Sequence, residues 1–581
     1  MGLPRNKVNG IPVSESVGFE RNVVRLTPTA APSDLRLGNV YHLDREEKTA
    51  VALNVEDLTM HCFIAGTTGS GKSNTVYGLL EKILAVKKDV RFMVIEPVKG
   101  DYKTVFGHRA DVSVYGTNDD VSKLIRLNPF RFRRGVHVLE HIDCLIGIFK
   151  VCWSMEAAMP SVLKRAIERA YKMTGWNLGT SKNIYSQELF PSFRDVLEAI
   201  NRIMDESDFS AEVKGNYKGA LCTRLEDMTT GLNEKIFVSD DLSDSQLFEE
   251  NVIVDLSRLG SDETRSLLMG LLVIRLKEFR QSTRKRITEK LKHVTVLEEA
   301  HNLLKRTSTE QTYGIANMTG KAVEMLSGAL ADMRSAGEAF IIVDQSPSAV
   351  DAAAIRNTNT KIVLRLPETI DREILGRAIS LDQPQIGELA KLPTGVAAVY
   401  QNNWMGAALV KMPYFPVTEE MFCEPEPASD NGVDELSRFL ARDNLDGWIE
   451  MHRADLENEI NRLQLSGRAK FLLSEYAAQS SEERPTLPTE IAFSIFNAEE
   501  TIKRALNITD VERLKKFFVA ELSPSVKNFS REDLEFLVML LIKEQRDRDE
   551  KFAPMFNTFM DYLRKTDGLE RIRMSRTEGG K

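Results

Sequence analysis

Residues 66–73 read Gly66-Thr67-Thr68-Gly69-Ser70-Gly71-Lys72-Ser73, and these eight positions decide the fold. They match G-x-x-x-x-G-K-[ST] at every fixed place. Glycines let the backbone turn tightly and bring its N–H groups onto phosphate oxygens. A helix that starts near Lys72 adds the positive end of its dipole. Lys72 is expected to reach the β- and γ-phosphates of ATP, and the Ser73 hydroxyl to ligate Mg²⁺. Thr68, Gly69, Ser70, Gly71, Lys72, Ser73 and Asn74 form the predicted nucleotide-binding set. The context supports the motif. An apolar strand, Cys62–Ala65, precedes it, and a helical pattern, Asn74–Val86, follows it.

A phosphate loop needs carboxylates at the end of a nearby strand. Val294-Thr295-Val296-Leu297 leads into Glu298-Glu299-Ala300-His301. In an open parallel sheet the C-terminal strand ends are where ligands bind. Glu298 is predicted to hold Mg²⁺, and Glu299 to orient or deprotonate the attacking water. The strand Phe340–Val343 ends in Asp344-Gln345, and the Gln345 amide is the candidate sensor of the γ-phosphate.

Further short apolar runs lie at His61–Ala65, Phe92–Ile95, Val252–Asp255 and Lys361–Leu366. Such runs suit strands of a parallel sheet buried on both faces. The predicted fold is therefore α/β, a RecA-like P-loop ATPase core with a mainly parallel sheet. About 150 residues separate the strands near 95 and 253, too many for a simple crossover. Helical patterns at Val136–Val151, Ser161–Met173, Phe193–Met204 and Tyr217–Thr229 make this a helical insertion at about 130–235. Prolines 413, 416, 425 and 427, then Ser429-Asp430-Asn431-Gly432, mark a linker at 416–433. Residues 434–581 read as all-helical, with capping boxes at Thr509-x-x-Glu512 and Ser530-x-x-Asp533. Residues 1–50, with prolines 12, 28 and 32, read as a lead-in with a reduced β module at most. The core is then 51–415.

The chain has 581 residues, 42% hydrophobic and 28% charged, with a net charge of −8. That balance argues against a protein coated with basic charge, although a local basic channel is compatible with it. The five cysteines are isolated, which suits a reducing compartment. The first twenty residues lack the apolar core of a signal peptide. Runs such as Leu267–Ile274 and Phe536–Ile542 fall short of the roughly 20 apolar residues of a membrane span. A cytoplasmic protein without its own membrane anchor is expected.

The ordered set of motifs resembles one family. It comprises Gly66 to Asn74, Val94-Ile95-Glu96-Pro97 with Gly100-Asp101-Tyr102, Leu127-Asn128-Pro129-Phe130, and Val252 to Ser257. Leu297 to His301, Val343 to Ser346 and Asn359 to Arg365 complete it. Over roughly residues 35–415 this looks like the HerA ATPases of the wider HerA/FtsK group. The resemblance implies a homo-hexameric ring with ATP between subunits and double-stranded DNA, bound without sequence specificity, threaded through it. It also implies a partner effector: a nuclease, or in bacterial antiviral defence a sirtuin-like NAD-consuming enzyme. A ring ATPase presents an arginine to the γ-phosphate of its neighbour; Arg334 is the first candidate and Arg365 the second. Two departures stand out. Only about 60 residues precede the loop, where archaeal relatives carry a fuller β-barrel, and Met60-His61 stands where relatives often pair arginine with histidine.

Three basic clusters are candidates for DNA contact: Lys305, Arg306 and Lys321; Arg131, Arg133 and Arg134; and Arg280, Arg284, Lys285, Arg286, Lys290 and Lys292. Neither a helix-turn-helix nor a zinc module is legible. Two competing expectations remain beside a DNA translocase: a nucleotide-dependent scaffold for an effector, and a secretion- or conjugation-type pump.

Overall fold

The computed structural model describes residues 17–21 and 34–570, apart from 154, 156–157, 307–314, 418–419, 426–431, 480–486, 497, 509, 523–528, 567 and 569. The prolines at 12, 28 and 32, Thr509 of one expected capping box, and Ser429 to Asn431 of the linker lie outside the described residues.

Among the described residues fourteen strands alternate with helices. They are β1 Asp34–His42, β2 Arg45–Asn54, β3 Cys62–Ala65, β4 Arg91–Glu96, β5 Val112–Gly116, β6 Lys123–Leu124, β7 Trp176–Asn177, β8 Lys182–Asn183, β9 Asn251–Asp255, β10 His293–Leu297, β11 Glu338–Asp344, β12 Thr360–Val363, β13 Val396–Gln401 and β14 Ala408–Lys411. Twelve make one sheet in the order β2-β1-β14-β13-β12-β3-β11-β10-β4-β9-β5-β6, and β7 pairs with β8 in a small hairpin. From β12 to β6 neighbours are parallel; from β12 through β13, β14 and β1 to β2 they are antiparallel. The fold is a RecA-like P-loop ATPase core.

Residues 34–50, expected in the lead-in, lie in this sheet. Asn39 pairs with Lys411, and β1 runs against β2 from Asp34↔Asn54 to His42↔Arg45. The alternation responsible is Leu35, Leu37, Val51 and Leu53 turned inward, with the charged start of β2 facing solvent. Gly38 passes so close to the Lys411 carbonyl that a Cβ would collide with it.

The parallel strands are buried on both faces, and alternation sorts their side chains. Ile64, Val94, Val296 and Ile341 face one core, where the helix α1 (Lys72–Val86) packs Val76, Leu79, Leu80 and Ile83. That 3, 4, 7 spacing is one helical stripe, and each such side chain contributes about 1.5–3 kcal/mol when fully buried. Phe63, Met93, Ile95 and Phe340 face the other core. There the insertion packs its helices Val138–Cys152, Met159–Met173, Phe193–Glu206 and Ala211–Asp227 in one cluster with the sheet.

The described residues from Val433 to Lys565 form helices around a core of their own, with Trp448, Leu473, Ile491, Phe518, Leu541 and Phe559 buried in it. The helix Arg531–Arg548 starts with the expected capping box, Ser530 with Asp533. One buried carboxylate joins this body to the insertion. Asp195 accepts from Gly467 N–H and Arg468 N–H, both at 2.8 Å, and so caps the helix Gly467–Ala478 from outside. A Cβ at Gly467 would strike the Phe190 carbonyl.

Lys470, in that capped helix, is buried with its ammonium on the Asn461 carbonyl. Burial lowers it from its ordinary 10.5 to about 7, against the opposing pull of Asp240 and Asp241. Between those values the unfolded chain holds the extra proton, so stability through this group rises with pH. Lys470→Met is therefore expected to stabilise the protein most at pH 7 and below, by at most about 5 kcal/mol, and the gain should fade towards pH 10. Denaturant unfolding of both proteins across that range checks it; a pH-independent difference would contradict the assignment.

Candidate active site

The eight-residue loop runs from the end of β3 into α1 over the C-terminal edge of the sheet. Gly66 N–H donates to the Asp344 carbonyl at 3.4 Å and Thr67 N–H to the Arg365 carbonyl at 3.0 Å, so the loop spans the strands flanking β3. Gly69 and Gly71 have φ of 75° and 98°, the left-handed region where glycine is at ease. A Cβ on Gly66 would lie 2.5 Å from Ser70 Oγ. Support also comes from a segment that nothing in the motif announces. Gly395 N–H donates to the Ser70 carbonyl at 2.9 Å, and Thr394 Oγ1 to the Gly69 carbonyl at 3.2 Å.

Across the loop stand the two glutamates after β10. Lys72 Nζ lies 3.5 Å from Glu299 Oε1, both side chains only 5% exposed. Glu299 has φ 45° and ψ 54°, a strained backbone for a non-glycine residue, and this turn aims its carboxylate at the loop. Lys72 Nζ, Ser70 Oγ and Glu299 Oε2 are buried with no hydrogen-bond partner among the described residues. Such groups are costly when left unpaired. A triphosphate supplies acceptors for the first two, and a water supplies a donor for the third. The donor set thus fits a nucleotide with a divalent cation, which Ser73 and Glu298 would hold.

Glu298 is buried, and its Oε1 accepts from the Tyr102 hydroxyl at 2.6 Å. Burial raises its pKa, opposed by the nearby Lys72 ammonium and the Tyr102 hydrogen bond. Two more carboxylates stand at neighbouring strand ends. Glu96 accepts from Asp101 N–H at 2.8 Å and Tyr102 N–H at 3.0 Å, and burial lifts it to about 8. Asp255 holds the Lys103 ammonium. Beside them an open cavity of about 700 Å³, lined by Ser73, Tyr77, Lys99, Lys103, Ser257 and Arg258 among others, lies between α1 and the loops after β4 and β9.

Behind Glu299 sits His301. Its Nδ1–H and its backbone N–H both contact Asp344 Oδ2 at 2.9 Å, and Glu299 Oε2 is 3.7 Å away. The hydrogen bond to Asp344 raises the imidazole's pKa. The imidazole, held on Asp344, therefore backs Glu299 on the side away from Lys72. Gln345 Oε1 accepts from Thr68 Oγ1 at 3.3 Å, which ties the candidate sensor to the loop.

Other expected site residues are placed differently. The Asn74 side chain does not turn to the loop. It donates to the Phe415 carbonyl at 2.6 Å and accepts from Phe415 N–H at 3.0 Å, pinning the segment after β14 onto α1. That segment continues over the core, with Phe422 against His108 and Glu424 N–H on the Val121 carbonyl at 2.9 Å. Residues at the start of the expected linker are thus packed. Arg334 is exposed in the turn before β11, at the edge of the sheet away from the loop and near His61. His61 itself is buried at the base of β3, where burial lowers it to about 4; its ring bonds Leu330 O and Phe340 N–H. Arg365 follows β12 beside the loop, its carbonyl on Thr67.

Of the basic clusters, Arg131 pairs with Asp241 and Glu188, and Arg133 with Asp244. Arg280 is buried on Glu338. Arg284 binds its own loop's carbonyls, and Lys292 pairs with Glu289 at 3.2 Å. Lys305, Arg306 and Lys321 are exposed. Tyr102, His301 and Asp344 went unassigned as site residues because their roles depend on contacts between distant strand ends. Their only sequence signal was membership of the ordered motifs.

Residues 35–276 match the family model of the central domain of helicase HerA. The chain is 24% identical over 412 residues to a DNA double-strand break repair helicase HerA of Sulfurisphaera tokodaii, covering 70% of this chain and 74% of the relative. It is 23% identical over 448 residues to a probable helicase of Methanocaldococcus jannaschii, covering 71% and 79%. Among solved structures, VirB4 of Thermoanaerobacter pseudethanolicus superposes with a TM-score of 0.50 at 18% identity, over 66% of this chain and 97% of that one.

Proposed function

We propose, for a chain that is a HerA-type P-loop ATPase, that it hydrolyses ATP with Mg²⁺ as a homo-hexameric ring and moves along double-stranded DNA together with an effector partner. The observation that carries the ATPase chemistry is the buried Lys72–Glu299 pair at 3.5 Å, each partner with a buried polar atom that lacks a hydrogen-bond partner among the described residues. Lys72 neutralises charge that develops between the β- and γ-phosphates. Glu299 orients the attacking water and takes its proton, with His301 steadying the carboxylate from behind. Bound at Ser73 and Glu298, Mg²⁺ would neutralise the phosphate oxygens. Gln345, bonded to Thr68, is suited to report the state of the γ-phosphate to the rest of the core.

In this reading an arginine comes from the neighbouring subunit. Arg365, which follows β12 beside its own subunit's loop, is better suited to a role within one subunit. Arg334, exposed on the opposite edge, is the one free to face another. DNA movement rests on relatives named as helicases and on a family model of that description. The effector, a nuclease or a sirtuin-like NADase as in antiviral defence, and a cytoplasmic setting, remain part of the proposal. No helix among the described residues is long and apolar enough to cross a membrane.

One observation favours a second reading, a nucleotide-dependent scaffold that organises an effector with little motor activity. Much of the charge in the two arginine-rich clusters is spent on internal ion pairs, which leaves less for phosphates. Steady-state ATPase with and without linear double-stranded DNA separates the two. A translocase should be stimulated severalfold or more, and that stimulation should weaken steeply with salt. Hydrolysis indifferent to DNA would reject it in favour of the scaffold.

A further inference from the structure

Tyr102 has no place in the roles assigned above, yet it contacts Glu96, Glu298 and Tyr77 at once. It opens the short helix Tyr102–Phe106 and is 1% exposed. Its backbone is clamped at Glu96, which holds both Asp101 N–H and Tyr102 N–H. Its ring stands edge-on to Tyr77 at 4.8 Å, and Tyr77 lies one turn beyond Ser73 on the same helix. Its hydroxyl donates to Glu298 Oε1 at 2.6 Å, a short charge-assisted contact. Glu298 Oε2 has no donor among the described residues. Tyr102 thus grips Glu298 through its hydroxyl and packs through its ring on the helix that carries Ser73.

We propose that Tyr102 is the positioning residue of the cation site: its hydroxyl fixes Glu298 Oε1 so that Oε2 is presented to a divalent cation beside Ser73. This rests on the loop being a Mg²⁺-nucleotide site. The physical reason is that a buried carboxylate with one oxygen pinned has one free orientation, whereas an unpinned one turns towards the Lys72 ammonium. Partners that orient a metal ligand are commonly worth about 10–100-fold in metal affinity. The phosphates are held by the loop, so nucleotide binding without metal should not depend on this hydroxyl.

The test uses the full chain with Mn²⁺ as an EPR-visible stand-in and a non-hydrolysable ATP analogue. Tyr102→Phe keeps the ring and removes the oxygen. It is expected to weaken Mn²⁺ binding to the nucleotide-loaded protein by about tenfold or more, while metal-free analogue binding in EDTA stays within about twofold. Tyr102→Leu removes ring and hydroxyl together. If Mn²⁺ affinity falls with Leu but not with Phe, packing carries the effect and the assignment is overturned. Unchanged affinity in both variants overturns it as well. If the wild-type chain binds neither analogue nor Mn²⁺, the nucleotide-site reading fails, and this assignment with it.

Discussion

Lys72→Ala is expected to abolish measurable ATP hydrolysis, lowering kcat/KM by at least about a hundredfold, the scale for losing one preorganised charge-stabilising donor. Lys72 Nζ is 3.5 Å from Glu299 Oε1, both side chains 5% exposed, and it has no hydrogen-bond partner among the described residues. Nothing else described at the loop offers a buried ammonium, so no neighbour replaces it. The substitution also leaves the Glu299 carboxylate buried without its cation. That turns the site repulsive to a polyanion, so nucleotide binding should weaken along with turnover. Equilibrium binding of a fluorescent ATP analogue, beside phosphate release, checks both. Retention of near-wild-type turnover would mean that hydrolysis happens elsewhere or through a contaminant. A modest loss of thermal stability is expected too, because removing one partner strands the other.

Glu299→Gln is expected to separate the two functions that Lys72→Ala removes together. Glutamine preserves the shape but cannot accept the proton of the attacking water. Turnover should fall by about 10²- to 10⁴-fold, the usual worth of a general base. Binding of ATP should hold or tighten, since a buried negative charge beside the triphosphate is gone. The trapped ATP-bound protein should also keep whatever ring or partner complex the nucleotide supports. Single-turnover hydrolysis with a parallel binding titration measures the split. Equal loss in binding and turnover would place Glu299 among the binding groups. Loss of neither would hand the base role to Glu298, which is already engaged by Tyr102.

Much of the site was legible because it is local in the chain. The loop's glycines, lysine and serine, and the paired glutamates, obey spacing rules set by backbone geometry over eight residues or fewer. The strands of the parallel sheet were legible for a related reason. Burial on both faces demands continuous apolar runs, and those runs occur at β3, β4, β9, β10, β11 and β12. In residues 1–50 the sequence allowed a reduced β module at most, because alternation broken by charge at Arg45 to Lys48 reads as a lead-in; β13 and β14 were not named as strands. Asn74 shows the limit in the other direction. It follows the loop and resembles a phosphate contact, yet Phe415, over three hundred residues later, claims both ends of its amide.

By itself, then, the order of residues determined a phosphate-loop pattern and a pair of glutamates at strand ends of a parallel α/β sheet, with helices before and after. Tertiary structure decided which groups meet. It set Tyr102 on Glu298, His301 between Asp344 and Glu299, Thr394 and Gly395 against the loop's carbonyls, and Asp195 under the helix of the C-terminal body. The physical reason is that a motif encodes torsions and spacings along the backbone. A hydrogen bond between strand ends far apart in sequence depends on strand order and register, which only the packing of the whole sheet specifies.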